Sequence, residues 1–290
     1  MKTPLTAINS TPAARRPIKV IRPTQSLIGV LSAGLTSLLN QRNLLFEMTL
    51  LRLKVRYKQS LLGWGWAILP PLLLTVTFTL IFSKVIHLDS ASLPYGLFVF
   101  AGLIPWTFFS TSVSTATAGV VSHRYLISRV AFAREIIPLS YVAAALVDLG
   151  IGILMLIVMM FYFGFSPTLH AIYVIPILVM LVICSIAVAL TCSAVQARFR
   201  DIGVAMPLLL QVLMFTTPVI YSSDAIPDSV RAIYFANPLA SLIEAFRQTA
   251  VLGVNPDASK MVYCAMVSIV CIIFAYLLFK RLDATLADVI

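Results

Sequence analysis

Residues 50–71 read LLRLKVRYKQSLLGWGWAILPP, a dense basic stretch followed directly by an apolar run that begins with two tryptophans. An apolar stripe at helical spacing runs through the basic part, formed by Phe46, Leu50, Leu53 and Tyr57. Cations flank it: Arg52, Lys54, Arg56 and Lys58. Such a helix suits the anionic inner surface of a bilayer, with the stripe in the acyl boundary and the cations among the headgroups. We therefore predict an interface helix over 44–60, after which Trp64 and Trp66 mark the turn into the membrane.

The composition of the whole chain indicates an integral membrane protein. Of its 290 residues, 60% are apolar and 11% are charged, far from the usual balance of soluble proteins. Stretches with few or no charges are long enough to cross a hydrocarbon core of about 30 Å as helices. They cover residues 61–83, 96–122, 136–163, 171–197, 202–222 and 261–279. We predict an all-α fold with six transmembrane helices in a domain over residues 61–279.

The distribution of lysine and arginine predicts the orientation of the spans. With a cytosolic N-terminus, 17 of the 21 Lys and Arg residues fall in inside segments, as the positive-inside rule requires. We therefore expect both termini in the cytosol: residues 1–43 as a basic tail with an amphipathic segment, and residues 280–290 as the C-terminus. Basic cytosolic segments account for the net charge of +10, so no nucleic-acid partner is expected.

Residues with catalytic or metal-binding patterns are missing from the sequence. No GxxxxGK[ST] phosphate loop, no recognisable nucleophile–base arrangement and no metal-ligand spacing of Cys or His occurs in the chain. We therefore expect no catalytic residues and no metal site. Asp148 is the one carboxylate inside a predicted span, placed near mid-membrane, and an intramembrane acid is a functional candidate. Two roles remain open for it: hydrogen bonding between helices or within a dimer, and direct participation in transport.

Two connecting segments have compositions that indicate function. The first, the docking segment, comprises residues 123–135 and is expected in the cytosol. It mixes arginines with aromatic and apolar side chains, as sites that dock a second protein do; headgroup anchoring explains the same mixture. Its candidate residues are Arg124, Tyr125, Leu126, Arg129, Phe132 and Arg134.

The second, the external segment, comprises residues 223–259 and is expected outside. Its stretch 232–243 is uncharged but too short to span. Pro227 and Pro238 divide the segment into two short helices, predicted to be re-entrant and to line or close an external exit; a simple interfacial cap is the alternative. The aromatic candidates for a channel or gate are Trp64, Trp66, Trp106, Phe109, Tyr221, Tyr234 and Phe235, with Asp148 as the polar candidate.

Five runs of sequence resemble one family, the membrane subunit of ABC transporters that export polysaccharides. They are RLKVRYKQSLLGWGWAILPP (52–71), LFVFAGLIPWTFF (97–109), LISRVAFAREIIPLS (126–140), NPLASLIEAFRQ (237–248) and ADVI (287–290). The resemblance covers the chain after residue 44 and is strongest to O-antigen exporter permeases. Teichoic-acid and capsule exporters share much of the pattern.

The resemblance implies a homodimer of six-span subunits in the bacterial inner membrane. Two separate cytosolic ABC ATPase subunits would bind ATP and Mg, so this chain would bind no cofactor and would not be an enzyme. Residues 124–135 would be the coupling helix that contacts the ATPase. This adds Glu135 to the candidate residues of the docking segment. The interface helix would add contacts through Arg52, Lys54, Arg56, Tyr57 and Lys58, and residues 225–251 would form the gate.

The cargo implied by the resemblance is an undecaprenyl-linked polysaccharide, O-antigen above all. First and fifth spans from two copies would wall its channel, among membrane lipids. The alternatives are an ABC permease for a drug or lipid, and an ion-coupled carrier.

Overall fold

The computed structural model describes residues 27–58, 60–85, 93–223 and 226–289. Within these ranges the chain is predominantly helical and contains no β-strand, in agreement with the all-α prediction. Parts of four predicted features lie outside the described residues: the tail over residues 1–26, residue 59 of the interface helix, residues 224 and 225 of the external segment, and residue 290 of the ADVI run.

In chain order, the α-helices of the described residues are α1 (Leu27–Asn40), α2 (Arg42–Tyr57), α3 (Leu69–Phe78), α4 (Tyr95–Ser122), α5 (Arg124–Arg129), α6 (Ile136–Tyr162), α7 (Val174–Arg198), α8 (Asp201–Phe215), α9 (Asp228–Phe235), α10 (Pro238–Arg247) and α11 (Ala258–Val289). Turns of 3₁₀-helix precede α3 and α7, at Gly63–Ala67 and Leu169–Tyr173. Turns of π-helix follow α3 and α10, at Thr79–Val85 and Gln248–Leu252.

Among the described residues, four helices are long and apolar enough to cross a membrane: α4, α6, α7 with its preceding turn, and α11. They coincide with the predicted spans 96–122, 136–163, 171–197 and 261–279. The predicted first and fifth spans contain shorter apolar helices, Leu69–Phe82 and Asp201–Phe215. A helix of 15 residues is about 22 Å long, less than the ~30 Å hydrocarbon core.

Glycine and proline explain why these two helices are short. The first begins only at Leu69, because the chain turns at Gly63, whose φ of 51° suits glycine, and then forms a 3₁₀ turn. Prolines 70 and 71 follow in the first turn of α3, where a missing N–H costs no hydrogen bond. The fifth ends at Phe215 because Pro218 disfavours helical geometry in the residue before it.

Helix α4 is the centre of the fold. It contacts α3, α6, α7, α8 and α10, and most of its side chains are buried. Trp106 and Phe109 are only 4% and 2% exposed. This placement differs from the channel wall expected for them from the sequence, because α4 is enclosed by its own subunit and its rings fill the interior.

Helix α11 extends across the whole fold. Its 32 residues span about 48 Å at 1.5 Å per residue, and it packs mainly against α7. Its outer face exposes an apolar stripe at helical spacing, composed of Val262, Met266, Val270 and Phe274. A stripe of this kind is suited to lipid tails, which are as apolar as the side chains.

Candidate functional site

The interface helix α2 packs along α6. Arg52 Nε donates to Ser140 Oγ at 2.6 Å, and the Arg52 guanidinium lies 3.4 Å from the centre of the Tyr141 ring. Leu53 and Tyr57 are buried against Ala144. The apolar stripe is therefore divided: its last two residues contact α6, while Phe46 at the other end remains 61% exposed. Lys54 and Lys58 are exposed.

Asp148 is bound to the C-terminal turn of α2. Its Oδ2 forms an ion pair with Nη1 of Arg56, and its Oδ1 accepts a hydrogen bond from the Tyr57 hydroxyl at 2.5 Å. The side chains of Arg56 and Asp148 are 32% and 19% exposed. Burial, assisted by the bond to Asp148, raises the pKa of Tyr57 to about 12, so its hydroxyl stays a donor at physiological pH. Of the two roles left open for Asp148, the contact between helices is present in the structure, and it joins α6 to the interface helix.

The two tryptophans after α2 occupy different environments. The Trp64 ring stacks on Tyr57, with 4.5 Å between centroids and an interplanar angle of 28°. Trp66 lines a cavity together with Arg56 and Asp148. Both indoles are about half exposed, at 50% and 48%. The turn Gly63–Ala67 therefore places one ring against the interface helix and one at the cavity.

The docking segment is helical over only part of its predicted length. Helix α5 ends at Arg129 because Val130 adopts an extended conformation, with φ −126° and ψ 130°. Arg124, Tyr125 and Arg129 are exposed, and Tyr125 is 67% exposed. The two apolar candidates, Leu126 and Phe132, instead pack against a buried apolar cluster that includes Ile136 and Phe279. Of these five candidates, only the two arginines and the tyrosine are exposed to a partner.

The last two predicted docking residues are bound to α11. Glu135 is fully buried, and Lys280 Nζ lies 2.7 Å from its Oε1. The Tyr276 hydroxyl donates to the same oxygen at 3.4 Å. Arg134 donates to the carbonyl oxygen of Asp283 at 2.8 Å and to its Oδ1 at 3.1 Å. These contacts differ from the coupling helix 124–135 expected from the resemblance, because they engage Arg134 and Glu135 within the subunit.

The external segment forms the two short helices that its prolines predict. Pro227 is the N-cap of α9, and α10 begins at Pro238. Helix α9 is exposed along most of its length, and Val230 and Ile233 are 47% and 77% exposed. Helix α10, in contrast, has almost every side chain buried and packs against α4, α7 and α11. The segment thus has one helix inside the fold and one on its surface.

Arg247 secures the non-helical chain that follows α8. This guanidinium is 3% exposed and donates to the carbonyl oxygens of Pro218 at 2.8 Å and Val219 at 3.5 Å. It also lies 3.8 Å from the centre of the Phe98 ring. Tyr95 satisfies the next carbonyl, that of Ile220, at 2.7 Å. Irregular backbone inside a membrane protein requires such internal partners. Burial lowers the pKa of Arg247 to about 10, so it remains charged at neutral pH.

The external aromatic candidates lie together beside Arg247. The Tyr234 hydroxyl donates to the Tyr221 hydroxyl at 3.1 Å, and Tyr221 donates to the carbonyl oxygen of Phe215 at 2.9 Å. Phe235 contacts Tyr234 edge to face and carries Lys260 4.1 Å from its ring centre. Burial raises the pKa of Tyr234. These rings connect the end of α8, the surface helix α9 and the start of α11.

Sequence reasoning missed the partners that hold these sites together. They are Tyr276, Lys280, Asp283, Arg247 and Gly102. A Cβ on Gly102 would lie 2.7 Å from the carbonyl oxygen of Val219, so glycine is needed where α4 meets the irregular chain. The charges at the C-terminal end of α11 were a visible signal for a partner to Glu135. The role of Gly102 had no signal in the sequence.

Comparison with known proteins gives one consistent result. The sequence profile described as ABC-2 type transporter matches residues 43–251. The O-antigen export system permease protein RfbA of Klebsiella pneumoniae is 29% identical over 250 residues, 86% of this chain and 95% of the relative. RfbA of Myxococcus xanthus is 31% identical over 232 residues, 79% and 88% of the two chains. The polysialic acid transport protein KpsM of Escherichia coli is 25% identical over 236 residues, 79% and 89%.

Proposed function

The chain belongs to the ABC-2 type transporter family, and from this premise we propose that it is the channel-forming permease subunit of an ATP-driven polysaccharide exporter. It is a multi-pass protein of the bacterial inner membrane and does not itself catalyse a reaction. The proposed cargo is a lipid-linked polysaccharide, O-antigen above all. The observation that carries this proposal is the match over most of the chain to relatives that are named O-antigen export permeases.

We propose that two copies of the chain form the channel. The short helices α3 and α8 have apolar faces that no other part of the described subunit covers. On α3, Leu73 and Val76 are 57% and 55% exposed, and on α8, Val204 and Leu208 are 79% and 64% exposed. Packing of these faces against a second copy would bury them, and two short helices on each side would wall a passage. Disulfide cross-linking of cysteines placed on α8 of both copies tests this arrangement.

The proposed ATPase contact is the exposed surface of α5. Arg124, Tyr125 and Arg129 supply the arginine and aromatic groups that dominate protein interfaces. Helix α11 offers a route from this surface to the other side of the membrane. It is bound to the end of the docking segment through Glu135, and to the external segment through Tyr263, which donates to the carbonyl oxygen of Ala236 at 2.8 Å.

Deletion of the gene tests the proposed cargo. The expected result is accumulation of undecaprenyl-linked O-antigen on the cytosolic side and its loss from the cell surface, both restored by the wild-type gene. An unaltered surface glycan with increased drug sensitivity or a changed lipid composition would instead support a drug or lipid permease. Co-purification tests the energy source: recovery of the tagged chain without an ATPase subunit, together with transport that needs no ATP, would refute the proposal.

A further inference from the structure

A partly open cavity of about 250 Å³ lies where the end of α2 and the start of α3 meet α4 and α6. At about 30 Å³ per water molecule, its volume is that of about eight waters, enough for one pyranose ring. Its polar lining residues are Arg56, Tyr57, Asp148, Thr107 and Thr111. Its other lining residues are mainly apolar and include Trp66 and Pro70.

The polar lining residues have no net charge, but they have unused hydrogen-bonding capacity. The ion pair uses one nitrogen of Arg56, and each oxygen of Asp148 accepts a single bond. A guanidinium has five N–H donors and a carboxylate about four acceptor sites, so both groups can bind more. Within the described part of the chain, the Thr111 hydroxyl donates to no other group, whereas that of Thr107 bonds the carbonyl oxygen of Ile104 at 3.0 Å.

These properties favour a neutral polyol over an ion. For a phosphate the attraction of Arg56 is offset by the repulsion of Asp148, and for an ammonium group the reverse holds, so the ion pair gives neither ion a net charge to bind. A sugar hydroxyl, in contrast, donates and accepts at once, so it can donate to Asp148 while it accepts from Arg56 or Thr111. The half-exposed indole of Trp66 offers an apolar ring face to the C–H face of the sugar.

We propose that this cavity binds one sugar residue of the exported polymer. The inference rests on the proposed function and makes it more specific, since it places a contact for the cargo within each subunit, beside the interface helix. The ion pair then has two roles: it holds α2 on α6, and it presents a donor and an acceptor to adjacent hydroxyls of the sugar.

Tryptophan fluorescence of the reconstituted protein tests the proposal. Phospholipid nanodiscs avoid detergents with sugar headgroups. The chain has three tryptophans, and because Trp106 is buried, Trp64→Phe leaves Trp66 as the one exposed indole. Methyl α-mannoside, methyl β-galactoside and N-acetylglucosamine serve as probes, titrated to about 100 mM. This is well above the roughly millimolar Kd that about −0.3 kcal/mol per non-hydrogen atom gives for a single sugar. At least one is expected to change the Trp66 emission saturably.

Thr111→Val is the decisive variant, because it preserves the shape of the side chain and removes the free hydroxyl. It should weaken sugar binding by about five- to tenfold, the loss of one hydrogen bond. Thr115→Val is the matched control: its hydroxyl bonds the carbonyl oxygen of Thr111 at 2.6 Å, it is not part of the cavity wall, and binding should be unchanged.

Three results would overturn the sugar site: no saturable response to any probe, equal affinity in the Thr111→Val variant, or a response to inorganic phosphate in place of the sugars. The titration does not depend on export. If the purified protein gives no sugar response but the strain exports its glycan, the sugar site alone is refuted. If the deletion strain has a normal surface glycan, the proposed function is refuted.

Discussion

Replacement of Lys280 by methionine removes the cation that faces a buried carboxylate. Glu135 is 1% exposed and Lys280 28% exposed, with 2.7 Å between Nζ and Oε1 and 2.9 Å between Nζ and Oε2. Loss of one partner of a buried pair costs about 3–5 kcal/mol. Because Lys280 is partly solvated and Tyr276 still donates to Glu135, we expect a smaller loss, about 2–3 kcal/mol. For a chain of this size the apparent Tm should fall by roughly 4–9 °C.

Thermal unfolding of the purified subunit in nanodiscs, followed by tryptophan emission, measures the effect. The double variant with Glu135→Gln should recover at least half of the loss, because replacing both charges leaves no unpaired carboxylate in the interior. Arg281→Met is the matched control, since it removes a positive charge from the adjacent, exposed position and should leave the Tm unchanged.

The reasoning is refuted if Lys280→Met and Arg281→Met lower the Tm equally. It is also refuted if the Tm loss of the double variant equals the sum of the losses of Lys280→Met and Glu135→Gln measured separately, because additivity means that the two side chains do not interact. Either outcome would also remove the Glu135 contact from the support for α11 as the connection between the docking segment and the external segment.

Three further changes have defined outcomes. Gly102→Ala places a Cβ 2.7 Å from a backbone carbonyl oxygen and should cost about 1–3 kcal/mol; Gly150→Ala has open space around its Cβ and should be neutral or slightly stabilising in the same melting assay. Arg129→Glu should reduce the amount of ATPase recovered with the tagged subunit while membrane insertion is unchanged. Arg200→Glu, at another exposed position, is the control. Equal ATPase recovery with the two variants would count against α5 as the contact. Burial raises the pKa of Tyr57 from 10.0, its value in the unfolded chain, to about 12. The contribution of Tyr57 to the free energy of unfolding is therefore complete below pH 10 and is lost as the pH rises through about 12. The Tm difference between wild type and Tyr57→Phe should therefore be constant from about pH 6 to pH 9, and a steady decrease over that range would contradict the assigned pKa.

The class of the protein and the position of its helix breaks were predictable from the sequence, because both depend on local properties of the chain. Insertion into a bilayer follows from the summed transfer free energy of consecutive residues. Pro227 and Pro238 mark the starts of α9 and α10 because proline is compatible with the beginning of a helix and incompatible with its interior. The helices inside the predicted first and fifth spans are shorter than those spans, because hydropathy does not register the glycines and prolines that interrupt them.

Helix partners and buried faces were decided only by the tertiary structure. Arg56 and Asp148 are 92 residues apart, and Lys280 and Glu135 are 145 apart. Their pairing depends on how each helix is rotated about its axis. In a soluble protein an amphipathic pattern reveals that rotation. Lipid is as apolar as a protein core, so α4 and α11 are both apolar enough to span a membrane, although α4 is enclosed by protein and α11 has an outer apolar face. For this reason Trp106 and Phe109 resembled channel residues in the sequence and lie in the interior of the fold.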